Sequence, residues 1–240
     1  PSYLAVFASG DQGSTQGATT TPPGTAKNVL TVGASIQGSG GEQSSNSPWS
    51  NNSGGTLDGR IKPDLVAPGG GICSARALEA TAVPGQSCSD ASHDDSTTPL
   101  YFSDSGSSMA TGTATGAALL VRQHLSEDLG ISEPDASLIK AILINGAMDL
   151  GQPDIPNSNE GWGQIDLMRS LNPTSVDGSV LTTLLDYGHE LRPGEALVQL
   201  VDIQQGPLDI TLAWTDPEGS VNAPDSASRL INDLNLVVTS

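Results

Sequence analysis

The chain has 240 residues, with 27 acidic side chains against 9 basic ones, a formal charge of −18 at neutral pH, and only 3% aromatic residues. That balance argues against nucleic acid and anionic membranes as partners, because binding would bring like charges together. No apolar run approaches the roughly 20 residues needed to cross a bilayer, and no signal peptide is legible at the start.

The opening "PSYLAVFASGDQG" reads as a strand entered midway, which implies polypeptide upstream, so the absent leader says nothing about location. Apolar runs at residues 3–9, 28–35 and 63–69 lack strict alternation. Such runs suit strands of a parallel sheet covered on both faces. The segment 74–105 is long, polar and expected to be irregular. Cys73 and Cys88 flank its first part with none of the neighbours a zinc site needs. They form either a disulfide, worth about 3 kcal/mol through loop closure, or two buried thiols.

Two helices follow. One starts near Ser108 and runs to about Ser126. The other follows "SEPDASLIKAILINGA", where Ser132 and Asp135 have capping-box spacing, Pro134 falls in the first turn, and Leu138, Ile139, Ile142 and Leu143 share a face ended by Gly146. After residue 175 the texture becomes β-rich. In "LDITLAWT", Leu208, Ile210, Leu212 and Trp214 alternate with Asp209, Thr211, Ala213 and Thr215, the period of a half-buried strand. The expected organisation is therefore α/β over residues 1–172, followed by the start of an antiparallel β-sandwich over 176–240.

The chemistry concentrates in "DSGSSMATGTATG" (104–116). A hydroxyl at a helix N-terminus meets free N–H groups and the positive end of the dipole, which favour the negative charge of acyl transfer. "GSSMATG" resembles the serine signature of the subtilisin-like peptidases, G-T-S-M-A-[ST]-P, with Ser108 as nucleophile. The segments 7–35, 58–75 and 137–172 resemble, in order, that family's oxyanion-loop region, the stretch before the serine, and its late helices with their "GWG" element. The end of the chain resembles the jelly-roll-like sandwich of one branch, the large alkaline, oxidation-resistant subtilases.

The resemblance implies the C-terminal part of a parallel-sheet catalytic domain and an Asp–His–Ser triad in that chain order, with Asp and His upstream of residue 1. The local histidines do not replace them. His93 sits in a polar loop, His189 in the sandwich region, and His124 lies roughly 24 Å from Ser108 at 1.5 Å per helical residue. Asp104-Ser105-Gly106 imitates the family's aspartate motif, but overlaps the serine motif and cannot serve as both. An esterase elbow, G-x-S-x-G, would need glycine where Ala110 stands.

By the same resemblance, Ala8, Ser9 and Gly10 line the pocket for the residue before the scissile bond. Asp11 stands where the family has the asparagine that donates to the oxyanion, and a carboxylate accepts rather than donates. Ser107 replaces the motif's threonine and Gly112 its proline. No cofactor is required for the chemistry. Structural calcium is a family trait, and Asp216, Glu218 and Asp233 near turns read either as ligands or as solvated acids. The expected function is a secreted endopeptidase acting on protein or peptide substrates. These 240 residues would be inactive without their upstream part, and the alternative is a catalytically silent scaffold.

Overall fold

The computed structural model describes residues 3–13, 17–37, 46–77, 88, 100–152, 155–171, 191–202 and 208–239. The three apolar runs become strands β1 (Val6–Ala8), β2 (Leu30–Ile36) and β4 (Leu65–Pro68), with a two-residue strand β3 (Ser47–Pro48) between the last two in sequence. β2 lies between β1 and β4 and runs parallel to both, with Val6 opposite Leu30 and Val32 opposite Leu65. β3 pairs antiparallel with the end of β2. Past β4, Val66 bridges Gln164, which in turn bridges Met148, so the "GWGQ" element extends the sheet.

Both faces of β2 are covered, which is why its sequence does not alternate. Leu30, Val32 and Ala34 enter the main core. On the other face, a Cβ added to Gly33 would stand 2.9 Å from the Asn52 amide and 3.1 Å from the Pro63 ring.

Strands β5 (Ile72–Ala75) and β6 (Tyr101–Asp104) form a separate antiparallel pair. Cys73 and Cys88 are joined, with Cα atoms 5.8 Å apart, which settles the disulfide in favour of pairing. The chain then enters helix α1 (Ser107–Gln123), which continues as one π-helical turn, His124–Asp128. α1 packs on the sheet through Ala110, Ala114, Ala117, Ala118 and Val121. Small side chains permit that closeness. A Cβ on Gly69 would lie 2.7 Å from that of Ala34 and 2.9 Å from that of Ala110.

Helix α2 (Ala136–Asn145) buries Leu138, Ile139, Ile142 and Leu143 as its sequence predicts, and α3 (Leu167–Leu171) follows. The capping box is not formed. Asp135 is itself the N-cap and makes no side-chain cap bond, so Pro134 precedes the helix instead of opening it. Gly146 is the C-cap but keeps a right-handed backbone. Its role is contact, since a Cβ there would fall 2.4 Å from the Ser170 hydroxyl.

A buried ionic group ties the underside of β2 to α2. The Asp64 carboxylate accepts from Lys62 Nζ at 2.7 Å, from Lys140 Nζ at 2.9 Å and from the Thr31 N–H at 2.7 Å. Burial alone would raise its pKa, but the two ammonium groups and their hydrogen bonds hold it below the usual carboxylate value. Burial lowers Lys62 to about 8, opposed by Asp64 and assisted by Lys140.

Among the described residues of 191–239 no strand or helix is formed. Ile210, Thr211, Leu212 and Trp214 line one groove of about 280 Å³ with Ile144, Trp162 and Leu236, and because Thr211 shares the groove while Ile210 and Leu212 stay exposed, the alternation expected of a half-buried strand is not formed. The stretch is tethered to the loop before β2 through Asp216. Its carboxylate accepts from the Lys27 ammonium and from the N–H groups of Ile231 (2.9 Å) and Asn232 (2.8 Å). Its backbone exchanges two bonds with the Asn28 side chain. Burial works against the Asp216 charge, and these donors outweigh it and lower the pKa.

Candidate active site

The site is assembled where β1 ends and α1 begins. β1 continues one rung further through the Ser9 N–H, which donates to the Val32 carbonyl at 2.9 Å. Gly10 then turns with φ +102°, a backbone that other residues rarely adopt. Its N–H donates to the Ser107 hydroxyl at 3.2 Å. Ala8 and Gly10 are half-buried, while Ser9 is fully buried with its hydroxyl on the Gly10 carbonyl. Of the strip expected to line a substrate pocket, the Ser9 side chain therefore faces inward.

Asp11 lies beside the first turn of α1. Its Oδ1 accepts the Ser107 backbone N–H at 2.9 Å, and its Oδ2 would be 3.0 Å from a Cβ on Gly106. The carboxylate so occupies one of the free donors of the helix N-terminus, where the dipole favours it. α1 itself has no acidic residue in its first turn, so Asp11 supplies that charge from 96 positions away.

Ser107 is buried and Ser108 is exposed. The two adjacent serines thus divide the work. Ser107 bonds the Asp11 loop through its N–H and its hydroxyl, while the Ser108 hydroxyl makes no hydrogen bond to a described residue. Thr111 bonds back to the Ser107 carbonyl at 2.7 Å, and Gly112 has open space around it.

Of the other candidates, His124 sits at the far end of α1 with Nδ1 2.7 Å from Asp128 Oδ2. His93 and His189 lie outside the described residues. Asp104 closes β6, with its carboxylate on the neighbouring Ser105 N–H at 2.8 Å. Asp216 is engaged by Lys27, and the described residues contain no group of three His, Cys, Asp or Glu able to hold a metal. No helix among them is long and apolar enough to cross a membrane.

Sequence reasoning missed the support beneath this loop. Asn52 and Ser53 read as ordinary members of a polar "SNNSG" turn, yet both are fully buried.

The geometry is that of a serine exposed at the mouth of a helix, beside a glycine-turned loop at the end of a parallel strand. The subtilase family model, peptidase S8, matches residues 2–163. The chain belongs to the subtilase family. It is 34% identical over 200 residues to the serine protease/ABC transporter B family protein tagA of Dictyostelium discoideum, covering 76% of this chain and 11% of that protein. It is 41% identical over 101 residues to tagD of the same organism, covering 38% and 5%. The chain thus spans about a tenth or less of the length of these curated relatives. In fold it is similar to fervidolysin from Fervidobacterium pennivorans, a keratinolytic enzyme related to subtilisin. That match has a TM-score of 0.53 and 20% identity, over 75% of this chain and 23% of that one.

Proposed function

We propose that the chain is part of a secreted subtilase endopeptidase in which Ser108 attacks the peptide carbonyl. In this reading a base takes the Ser108 proton as its oxygen bonds to the carbonyl carbon. The C–N bond then breaks as the leaving amine takes that proton, and water releases the acyl group. The base and its orienting aspartate come from polypeptide upstream of Pro1. The surface for that polypeptide is the edge of β1 that pairs with no strand among the described residues, together with the exposed row Ser108, Gly112, Thr115, Gly116 and Leu119 on α1. Residues 176–240 belong to the sandwich of the branch named above. The disulfide and the acidic surface suit an extracellular setting.

The observation that carries the proposal is the exposed, unengaged Ser108 hydroxyl in the first turn of α1. Its test is the full-length protein with a fluorophosphonate probe and a peptide anilide. Both reactions are expected, and Ser108→Ala lowers the second by at least about a thousandfold. A native protein that takes no label sinks the reading. It would favour the silent scaffold, whose support is the Asp11 carboxylate resting on the Ser107 N–H.

A further inference from the structure

Residue 11 is bracketed by a single buried residue. Ser53 donates its backbone N–H to the Gly10 carbonyl at 2.8 Å, and its hydroxyl oxygen accepts the Gln12 N–H at 3.1 Å. One residue therefore fixes the peptide on each side of Asp11. Ser53 is itself immobilised. It is wholly buried, and its hydroxyl would stand 2.9 Å from a Cβ on Gly10, so the loop lies directly against it. The turn that carries it is anchored twice. Asn51 accepts the Gly13 N–H at 2.8 Å. The Asn52 amide grips both polar groups of Ala34 on β2, donating to the carbonyl and accepting from the N–H, each at 2.7 Å. Asn52 thus stands in for a neighbouring strand at the point where β1 has ended.

We infer that Ser53 is a positioning residue for the side chain at position 11, holding it against the first turn of α1 with the Asn52–Ala34 pairing as its base. The assignment rests on the endopeptidase reading for its consequence in catalysis, and on hydrogen bonds alone for its structural part. Ser53 touches no exposed surface, so it acts only through the loop. In the observed geometry an asparagine at position 11 would keep its oxygen on the Ser107 N–H. Its amide nitrogen would take the place of Oδ2 and could donate to an oxyanion beside Ser108. The benefit of that donor depends on where the loop holds it, because oxyanion stabilisation is steep in distance.

The experiment is a double-mutant cycle in the full-length protein, with Asp11→Asn, Ser53→Ala and the pair together. Asp11→Asn is expected to raise kcat on the order of tenfold with KM unchanged. In the Ser53→Ala background that gain falls to less than about twofold, because the amide is no longer aimed. A gain that survives intact in the double variant overturns the inference. Hydrogen exchange resolved to the Gln12 amide decides the structural part without any activity. Ser53→Ala should speed it at least about tenfold, and an unchanged rate overturns the assignment. Failure of the endopeptidase reading looks different: no variant turns over substrate, while the Gln12 amide still reports on Ser53. Should Ser53→Ala not fold, Ser53→Cys keeps a similar volume and gives up most of the acceptor strength.

Discussion

Two places in the molecule set a lysine against an aspartate, and they hold very different structure together. Beneath β2, Asp64 is shared by Lys62 and Lys140 and also takes the Thr31 N–H, so a turn, a strand and a helix meet on one carboxylate. Everything around that group is packed, with Leu65, Val66, Ile139 and Leu143 nearly or fully buried. At the other place, Lys27 and Asp216 join the loop before β2 to residues 208–239, where no strand or helix forms among the described residues. Large apolar side chains stay open there, Val221 at 92% and Val237 at 73% exposure. The first pair is one bond among many in a dense core. The second is a tether, and with the Asn28 and Asn145 side chains it carries much of the polar attachment. The same chemistry therefore sets global stability in one region and local attachment in the other.

The contrast breaks most visibly at Asp64. Asp64→Asn leaves the buried Lys62 and half-buried Lys140 ammonium groups without a counter-charge, and breaking a buried pair in this way costs about 3–5 kcal/mol. Denaturant unfolding of the two proteins at neutral pH should show that gap. Its pH dependence has a definite sign. The Asp64 pKa is lowered in the fold, so its contribution is present above the ordinary carboxylate pKa and is lost as pH falls through the folded value. The variant's deficit should accordingly narrow in acid. A gap of less than about 1 kcal/mol at neutral pH would place Asp64 with surface pairs instead.

A smaller effect is expected at the tether. Lys27→Met removes the ammonium but leaves Asp216 its two backbone donors. The loss is about 1.5–3 kcal/mol, the scale of a charged hydrogen bond. It should fall on the segment alone. Amide exchange at Ile231 and Asn232 would quicken, and protease would cut between residues 217 and 230, with the unfolding midpoint of the core little changed. If core and segment lose stability together, the two regions are one cooperative unit and the comparison fails.

These two anchors also show what sequence can and cannot reveal. The parallel strands were legible because a strand buried on both faces must be apolar throughout, as β2 is. The buried face of α2 was legible from its spacing. The start of α2 was misread because Ser132 and Asp135 satisfy a spacing rule, while the backbone makes Asp135 the boundary residue. Ser108 was singled out through the motif, and Asp11 only through the resemblance, since 96 residues separate it from the N–H it accepts. Lys27 and Asp216 are 189 positions apart with no local pattern to mark them. Ser53 shows the same limit, because a serine in a polar turn looks identical whether it faces water or is buried under the Asp11 loop.

The smallest predicted effect bears on the face of α1 that carries Ser108. Gly116 is exposed in the middle of this helix, and an added Cβ would meet no atom within 4 Å. In such a place Gly116→Ala should stabilise by about 0.5–1 kcal/mol, since alanine loses less backbone entropy on folding. That gain holds only while the face is open. If upstream polypeptide packs along the row from Ser108 to Leu119, as the endopeptidase reading requires, the methyl would meet a close neighbour and the sign would reverse in the full-length protein. Thermal unfolding of full-length Gly116→Ala therefore separates the cases. Destabilisation means that a second surface presses on α1 beside Ser108. A clean gain means that the row faces solvent, and that any base for Ser108 must approach from the β1 side instead.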